Sequence, residues 1–479
     1  MVLLRARTVA IVGAGPSGLV AAKYFRAEKA FDKIVIFEQR GRIGGIWNYT
    51  PDQRDEDLFT VPQTDPAGRN QEPTWREVDS QDGEEQEQNG VKKEASFLSP
   101  LYERLETNIP RGLMGFQDLD WPQDSQLFPK HETVLEYIEE YGRDVKHMVL
   151  FETQVVDVRA ADQEYGGRWR VKSRNLRSGN EDEEIYDAVI VANGHFVVPH
   201  VPDIPGIKEW NANYPGAISH SKYFRKPEDF AGKKVVVKPL LWSSRSVSFF
   251  NPSKVIDPRK REHRPIARFL PESRGVEFED GAIEHDVDAV LFATGYYYSL
   301  PFLKHVEPAL ITDGSHVHHT YQHLFYAPRP TISFLVLNQR VIPFPMAEVQ
   351  SAVLARAYSG RLPLPPLAEM QQWEENAIAE NGNGKNFHLL PFPRDGQYLN
   401  KMSDWAMMVP PREGLENDGK GRIPPRWGKW EFWCRDNFAA IRGAFGARGE
   451  ERHKVRSIEE LGFVQGKERE HQGEENRII

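Results

Sequence analysis

Short unbroken apolar runs and longer amphipathic stretches alternate along this chain. Val9-Ala10-Ile11-Val12 stops at a glycine, a helix-prone segment runs from Leu19 to Ala27, and Ile34-Val35-Ile36-Phe37 follows. Apolar runs this short, bounded by turn residues, predict strands buried on both faces of a parallel sheet, with the helix as their crossover. Further runs of this kind are Ala188–Ala192, Val235–Val237 at the end of the block from Phe230, Ala289–Phe292 and Thr331–Leu337. Alternating strands are expected at Val149–Val158 and Arg168–Ser173, the latter leading into a polar hairpin from Gly179 to Glu184. An amphipathic helix is expected around Glu132–Tyr141, and a further helix at Met346–Ser359. A Pro-rich linker at Pro363–Pro366 precedes more helical segments from Ala368 onward. The fold class is therefore α/β.

The first apolar run leads straight into Gly13-Ala14-Gly15-Pro16-Ser17-Gly18, and the second ends on Glu38, 20 positions after Gly18. A strand, a G-x-G-x-x-G loop, a helix, a strand and an acid in that order form the fingerprint of a dinucleotide-binding unit. Gly13 allows the tight turn, Gly15 lets backbone approach a pyrophosphate, and Gly18 lets the helix pack closely. The helix N-terminus offers free N–H groups and partial positive charge to phosphates. Glu38 is the expected acceptor for ribose hydroxyls. Gly44-Gly45 suits a second close approach to the ligand, and Asn193-Gly194, closing the strand at Ala192, suits a second cofactor-facing loop.

A length of 479 residues predicts two or three domains. A net charge of −9 argues against nucleic acid as the main partner. One cysteine, Cys434, excludes an internal disulfide framework and fits a reducing, cytoplasmic compartment. No apolar run approaches the length of a membrane span, and the early glycines break any signal-peptide reading, so no membrane partner is expected. The polar segment from Gly466 to Ile479 offers no tail anchor. Pro51–Ala95 is polar and acidic, and is expected to be a partly disordered surface insertion.

The block from Phe230 to Val237 has the form of the opening strand of a second dinucleotide unit, yet no glycine loop follows. Only Lys238 and Pro239 separate it from the next strand-like run, Leu240-Leu241-Trp242. A parallel crossover needs about ten to twelve residues, so neither phosphate loop nor helix fits there. Ser244 and Arg245 remain as weak candidates for a 2′-phosphate contact.

Five motifs together resemble the flavin-containing monooxygenases, specifically their soluble fungal-type branch. They are Gly13 to Gly18, then Glu38 with Gly44, Gly45 and Trp47, then Thr107-Asn108. Next comes Tyr214, Gly216, His220 and Phe224 on the pattern F-x-G-x-x-x-H-x-x-x-F/Y, with Tyr for the first Phe, and last Ala293-Thr294-Gly295-Tyr296. The likeness spans about Thr8 to Phe463. It implies a Rossmann-like, three-layer FAD domain in two segments, 1–203 and 297–479, around an inserted NADPH-type domain at 204–296. It implies FAD contacts from Gly13, Gly15, Pro16, Ser17, Gly18, Glu38, Gln39, Gly45, Ile46, Trp47, Leu105, Thr107, Asn108, Val155 and Gln350. Ser244 and Arg245 are left for NADP. Asn108 is the implied catalytic residue at the flavin edge. The implied reaction is NADPH-driven oxygenation, by dioxygen through a C4a-hydroperoxyflavin, of a nitrogen or sulfur nucleophile. Phe224, where related Baeyer–Villiger enzymes carry Trp, points to that heteroatom chemistry.

The missing second loop departs from the family. A lost internal segment and a genuine FAD protein that reacts poorly with NADPH both explain it. The alternative function is therefore an FAD-binding protein without competent NADPH turnover, a slow oxidase or a non-catalytic module. In either case the inserted domain should lack one helix beside its first strand and a Gly-lined phosphate site. Three further features favour plain readings. His316, His318, His319 and His323 have only Asp313 nearby, so no metal is expected. Lys254–Arg264 reads as a solvated loop. Trp427, Trp430 and Trp433 recur at helical spacing and read as a packing stripe.

Overall fold

The strand Thr8–Val12 sits near the middle of a seven-stranded sheet in the computed structural model, which describes residues 1–51, 65–77, 93–162, 167–237, 241–243 and 261–466. Lys33–Phe37 and Ala188–Val191 flank it, both parallel, with Val9 opposite Ile34 and Ala188. Val149–Leu150 extends the sheet beyond Lys33–Phe37, and Ile332–Phe334 extends it beyond Ala188–Val191, again in parallel. Two short antiparallel strands, Phe325–Tyr326 and Thr320–Tyr321, close that edge.

Both faces of the sheet are covered, which is why its strands read as continuous apolar runs. Val9 and Ile11 face the helix layer, where Leu19, Phe25, Val349 and Val353 are wholly buried. Ala10 and Val12 face the opposite layer, an antiparallel meander of Thr153–Ala160, Trp169–Asn175 and Glu181–Tyr186. The period-2 alternation of side chains splits one strand between two cores. The result is the expected three-layer α/β architecture. Helix Pro343–Tyr358 begins three residues earlier than its apolar pattern suggests, because proline at the first helical turn starts a helix without losing a needed N–H. Helices Leu367–Asn381, Arg394–Met407 and Lys429–Ala447 complete the C-terminal part. Trp427 is buried there, while Trp430 and Trp433 pack half-buried against the core.

Two chain crossings, Val198–Pro199 and Tyr296–Tyr297, pair antiparallel at the junction with a second unit. That unit holds a parallel sheet in the order Ile218–His220, Ala289–Phe292, Val235–Val237. Leu241–Ser243 pairs instead with Arg261–His263. Positions 238–240 alone separate Val235–Val237 from Leu241–Ser243. Among the described residues from 214 to 296, the helical elements are short 3₁₀ turns. Lys238, Pro239, Ser244, Arg245 and most of the Lys254–Arg264 run lie outside the described residues, as do the expectations for 467–479.

Buried charges tie the late helices back to the first unit. Arg361 Nη1 donates to both carboxylate oxygens of Glu28, each at 2.9 Å, just past the C-terminus of helix Pro16–Ala27. Replacing Glu28 with alanine strands a buried guanidinium, and should cost about 3–5 kcal/mol of stability, read as a lower thermal or urea midpoint. Glu348 is wholly buried, accepts an N–H bond from Gln117 at 3.2 Å, and is pushed up to about 8 by burial. Below pH 4.5 both folded and unfolded chains hold that proton; above it the unfolded chain releases it first. Stability should therefore fall as pH rises from about 4.5 to about 8, by about 1.4 kcal/mol per pH unit from this group. Glu348→Gln should flatten that part of a pH series of urea melts.

Candidate dinucleotide-binding site

Close backbone contacts build the first loop. A Cβ on Gly18 would lie 1.9 Å from the Gly13 carbonyl oxygen, so only glycine lets the helix rest on the loop. Gly13 takes φ +106°, and a Cβ there would sit 2.6 Å from the Ala192 carbonyl oxygen. Gly15 differs. Its φ of −73° suits any residue, and its nearest neighbour would be the Gly45 Cα at 3.6 Å, an ordinary contact. Helix Pro16–Ala27 starts there with no side-chain cap and no acid in its first turn. Its first N–H groups thus stay available to an anion.

Glu38 locks this loop from beneath. Its carboxylate is buried, with Oε2 accepting from the Ala14 N–H at 2.8 Å and Oε1 from the Arg40 N–H at 2.8 Å. The Gly44 N–H donates to the Ala14 carbonyl at 3.0 Å, which sets Gly45 against Gly15. A cavity of about 350 Å³ opens beside these residues. Gly13, Gly15, Pro16, Ser17, Glu38, Gln39, Gly45, Ile46, Trp47 and Val155 reach its wall, all expected from sequence.

Gly18, Leu105, Thr107, Asn108 and Gln350 are absent from that wall. Gly18 acts one step back, by admitting the helix. Asn108 is exposed on the turn before Arg111–Met114, and the buried Thr107 spends its hydroxyl on the Ile109 carbonyl at 2.9 Å. Leu105 and Thr107 are held by backbone bonds with His131 and Pro129. Gln350 is buried and acts at second hand: its Oε1 accepts from the Val336 N–H at 2.8 Å, and Val336 is on the wall. Val336 has φ +55°, a conformation that a β-branched residue adopts only under constraint, and the Gln350 bond supplies part of it.

Sequence reasoning missed other wall residues. Within 51–95, Thr74–Glu77 pairs antiparallel with Lys93–Ser96, and Arg69, Asn70 and Gln71 reach the cavity. Gln154 Nε2 donates to Gln39 Oε1 at 3.0 Å and to the Gln71 carbonyl at 2.9 Å, making a polar wall. The polarity of that segment was its only signal, and its sequence neighbours share it. His195 lines the cavity beside Val336, where burial pushes it down to about 4 and leaves it neutral. Phe302 and Leu335 add apolar surface, and so does Phe344, whose Pro343-Phe344-Pro345 segment the family resemblance already places near the flavin ring. In the His316 group, the His316 and His318 rings lie 4.0 Å apart, and among the described residues no group is placed to hold a metal ion. No helix of the described residues is long and apolar enough to cross a membrane.

A glycine loop at an uncapped helix end, a buried acid beneath it and a cavity beside both are the marks of a dinucleotide-binding α/β protein. The chain matches the flavin-binding monooxygenase-like family over residues 87–248 and 264–413, and an NAD(P)-binding Rossmann-like domain over 11–70. It is 33% identical to the flavin-containing monooxygenase FMO GS-OX3 of Arabidopsis thaliana over 397 residues, 77% of each chain. FMO GS-OX-like 2 of the same plant is also 33% identical, over 83% of this chain and 84% of its own. Among solved structures, the S-allyl-L-cysteine S-oxygenase of Allium sativum is 29% identical, with a TM-score of 0.71, covering 96% of this chain and 98% of that one. Tmm of a Pelagibacter strain shares the fold at 20% identity and TM-score 0.62, over 91% of this chain and 90% of its own. The chain belongs to the flavin-binding monooxygenase family.

The two glycines make opposite demands. Gly15→Ala should keep the apo-protein's thermal midpoint while abolishing flavin binding, whereas Gly18→Ala should lower the midpoint itself. Paired melting curves and flavin titrations read both effects.

Proposed function

We propose that this cavity holds FAD and that the chain oxygenates a soft nucleophile, with a thioether or thiol sulfur as the first candidate and an amine nitrogen as the second. The carrying observation is the junction of Gly15, the uncapped helix end and the Glu38 carboxylate at one cavity. The donor set fits the group: N–H donors for a pyrophosphate, a carboxylate for ribose, and apolar surface for a flat ring. Sulfur comes first because the S-oxygenase of Allium sativum is similar over nearly the whole chain. Bound FAD, once reduced, supplies the activation of dioxygen and the transfer of one oxygen atom to substrate.

The protein's part is to bind, orient and exclude water. Ser17, Gly15 and the first helical turn would hold the phosphates. Glu38 would accept ribose hydroxyls. Trp47, Phe302, Leu335 and Phe344 would wall the reacting end against water. His195, neutral and packed by Val336, is a hydrogen-bonding group in that wall without a charge. Asn108 is exposed and is not among the residues lining the cavity, so no role is assigned to it.

NADPH is implied by the family, but the residues present do not fit it. The family's second phosphate loop would have to lie within positions 238–240. This favours the reading of an FAD protein with poor NADPH turnover. The purified protein should be yellow. NADPH added without oxygen should leave the visible band of the oxidised flavin largely intact, while dithionite bleaches it at once. Rapid bleaching by NADPH would overturn the reading of poor turnover, and colourless protein that takes up no added FAD would overturn the FAD site.

A further inference from the structure

Arg225 is a buried cation at the seam between the inserted unit and the cavity wall. It follows the strand Ile218–His220, and only 2% of its surface is exposed. Its Nη2 donates to the Ser99 carbonyl at 3.0 Å. Its Nη1 donates to the carbonyls of Leu101 at 3.0 Å, Lys222 at 3.1 Å and Phe224 at 2.9 Å. The backbone returns the contact, since the Glu103 N–H donates to the Arg225 carbonyl at 3.0 Å. Tyr102 packs edge-on against Phe224, with ring centres 5.5 Å apart, and Arg104 pairs with Glu228 at 2.8 Å. Residues 99–104 and 222–228 are thus zipped together through side chain, backbone and surface.

Ser99 carries the connection onward. It is wholly buried, its hydroxyl donates to the Ile46 carbonyl, and its N–H donates to Thr50 Oγ1 at 2.9 Å. The same hydroxyl accepts from the Leu101 N–H at 3.3 Å. Ile46, Trp47, Leu98 and Pro100 all line the cavity. Gly45, next to Ile46, presses on Gly15. A continuous hydrogen-bonded path therefore runs from Arg225 through Ser99 to the loop that closes on the phosphate-binding glycines.

We propose that Arg225 is a positioning residue for flavin binding: through Ser99 it fixes the walls at 45–50 and 98–101. On this account the inserted unit serves the flavin site as a brace, a role that needs no nucleotide loop of its own. The inference rests on the reading that the cavity takes FAD, and deepens it. A loss of this brace should appear as weaker FAD binding. Four carbonyls left without their donor make the cost of removing Arg225 large, and a charged hydrogen bond is worth enough to shift affinity at least about tenfold.

The test titrates FAD into the full-length apo-protein, following flavin fluorescence, for the wild type, R225Q, R225K, S99A and the R225Q/S99A double variant. R225Q and S99A should each weaken FAD binding at least about tenfold, and R225K should recover part of the loss. The double variant should bind no more weakly than the worse single variant, because both residues act along one path. Losses that multiply in the double variant would overturn the proposal, since independent loosening of the fold gives that result. Wild-type affinity in a folded R225Q would also overturn it. If R225Q does not fold, S99A decides, and unchanged affinity there overturns the proposal. A wild type that binds no FAD would instead sink the flavin reading itself.

Discussion

Helix Pro16–Ala27 rests on the Gly13 carbonyl with no room for a single carbon between them, and the rest of the site depends on that contact. It fixes where the helix begins and aims its uncapped N–H groups at the cavity. The parallel register of Lys33–Phe37 beside Thr8–Val12, with Phe37 opposite Val12, then brings Glu38 out next to that loop. From there the carboxylate can reach both Ala14 and Arg40. Packing of this kind is all backbone, so it tolerates no repacking by larger side chains.

Around that contact, buried polar groups hold the layers in one arrangement. Glu28 and Arg361 join the end of the first helix to the segment after Pro343–Tyr358. Asp395 and Arg435 join two later helices through a buried pair at 2.7 Å. Gln350 reaches across to Val336 and pins a strained backbone position in the cavity wall. Such groups are costly to bury unless each finds its partner, and so they favour a single packing over its near neighbours.

The legible part of this protein was local. The glycine spacing, the apolar runs and the acid at Glu38 all act within one βαβ unit, and sequence spacing alone places them. The parallel core was readable for the same reason, since burial on both faces leaves continuous apolar runs. What sequence did not disclose depends on contacts between distant segments. Arg69–Gln71 sit in a polar stretch whose composition matches solvent-exposed chain. Arg225 and Ser99 lie more than a hundred positions apart, and neither has a local pattern that announces the other. Asn108 and Gln350 show the converse. Motif position drew attention to both, yet neither lines the cavity: Asn108 is exposed, and Gln350 is buried and accepts from the Val336 N–H.

Glu38 has a last consequence. Each of its oxygens already accepts one backbone N–H, and a carboxylate oxygen has room for two. One acceptor position per oxygen therefore remains, enough for the two hydroxyls of a ribose, without breaking either bond that orders the loop. A phosphate on one of those hydroxyls would bring like charge against a buried, immobile carboxylate, where repulsion is poorly screened. With a dinucleotide in this cleft, the acid that shapes the loop would thereby also favour plain ribose over ribose phosphate.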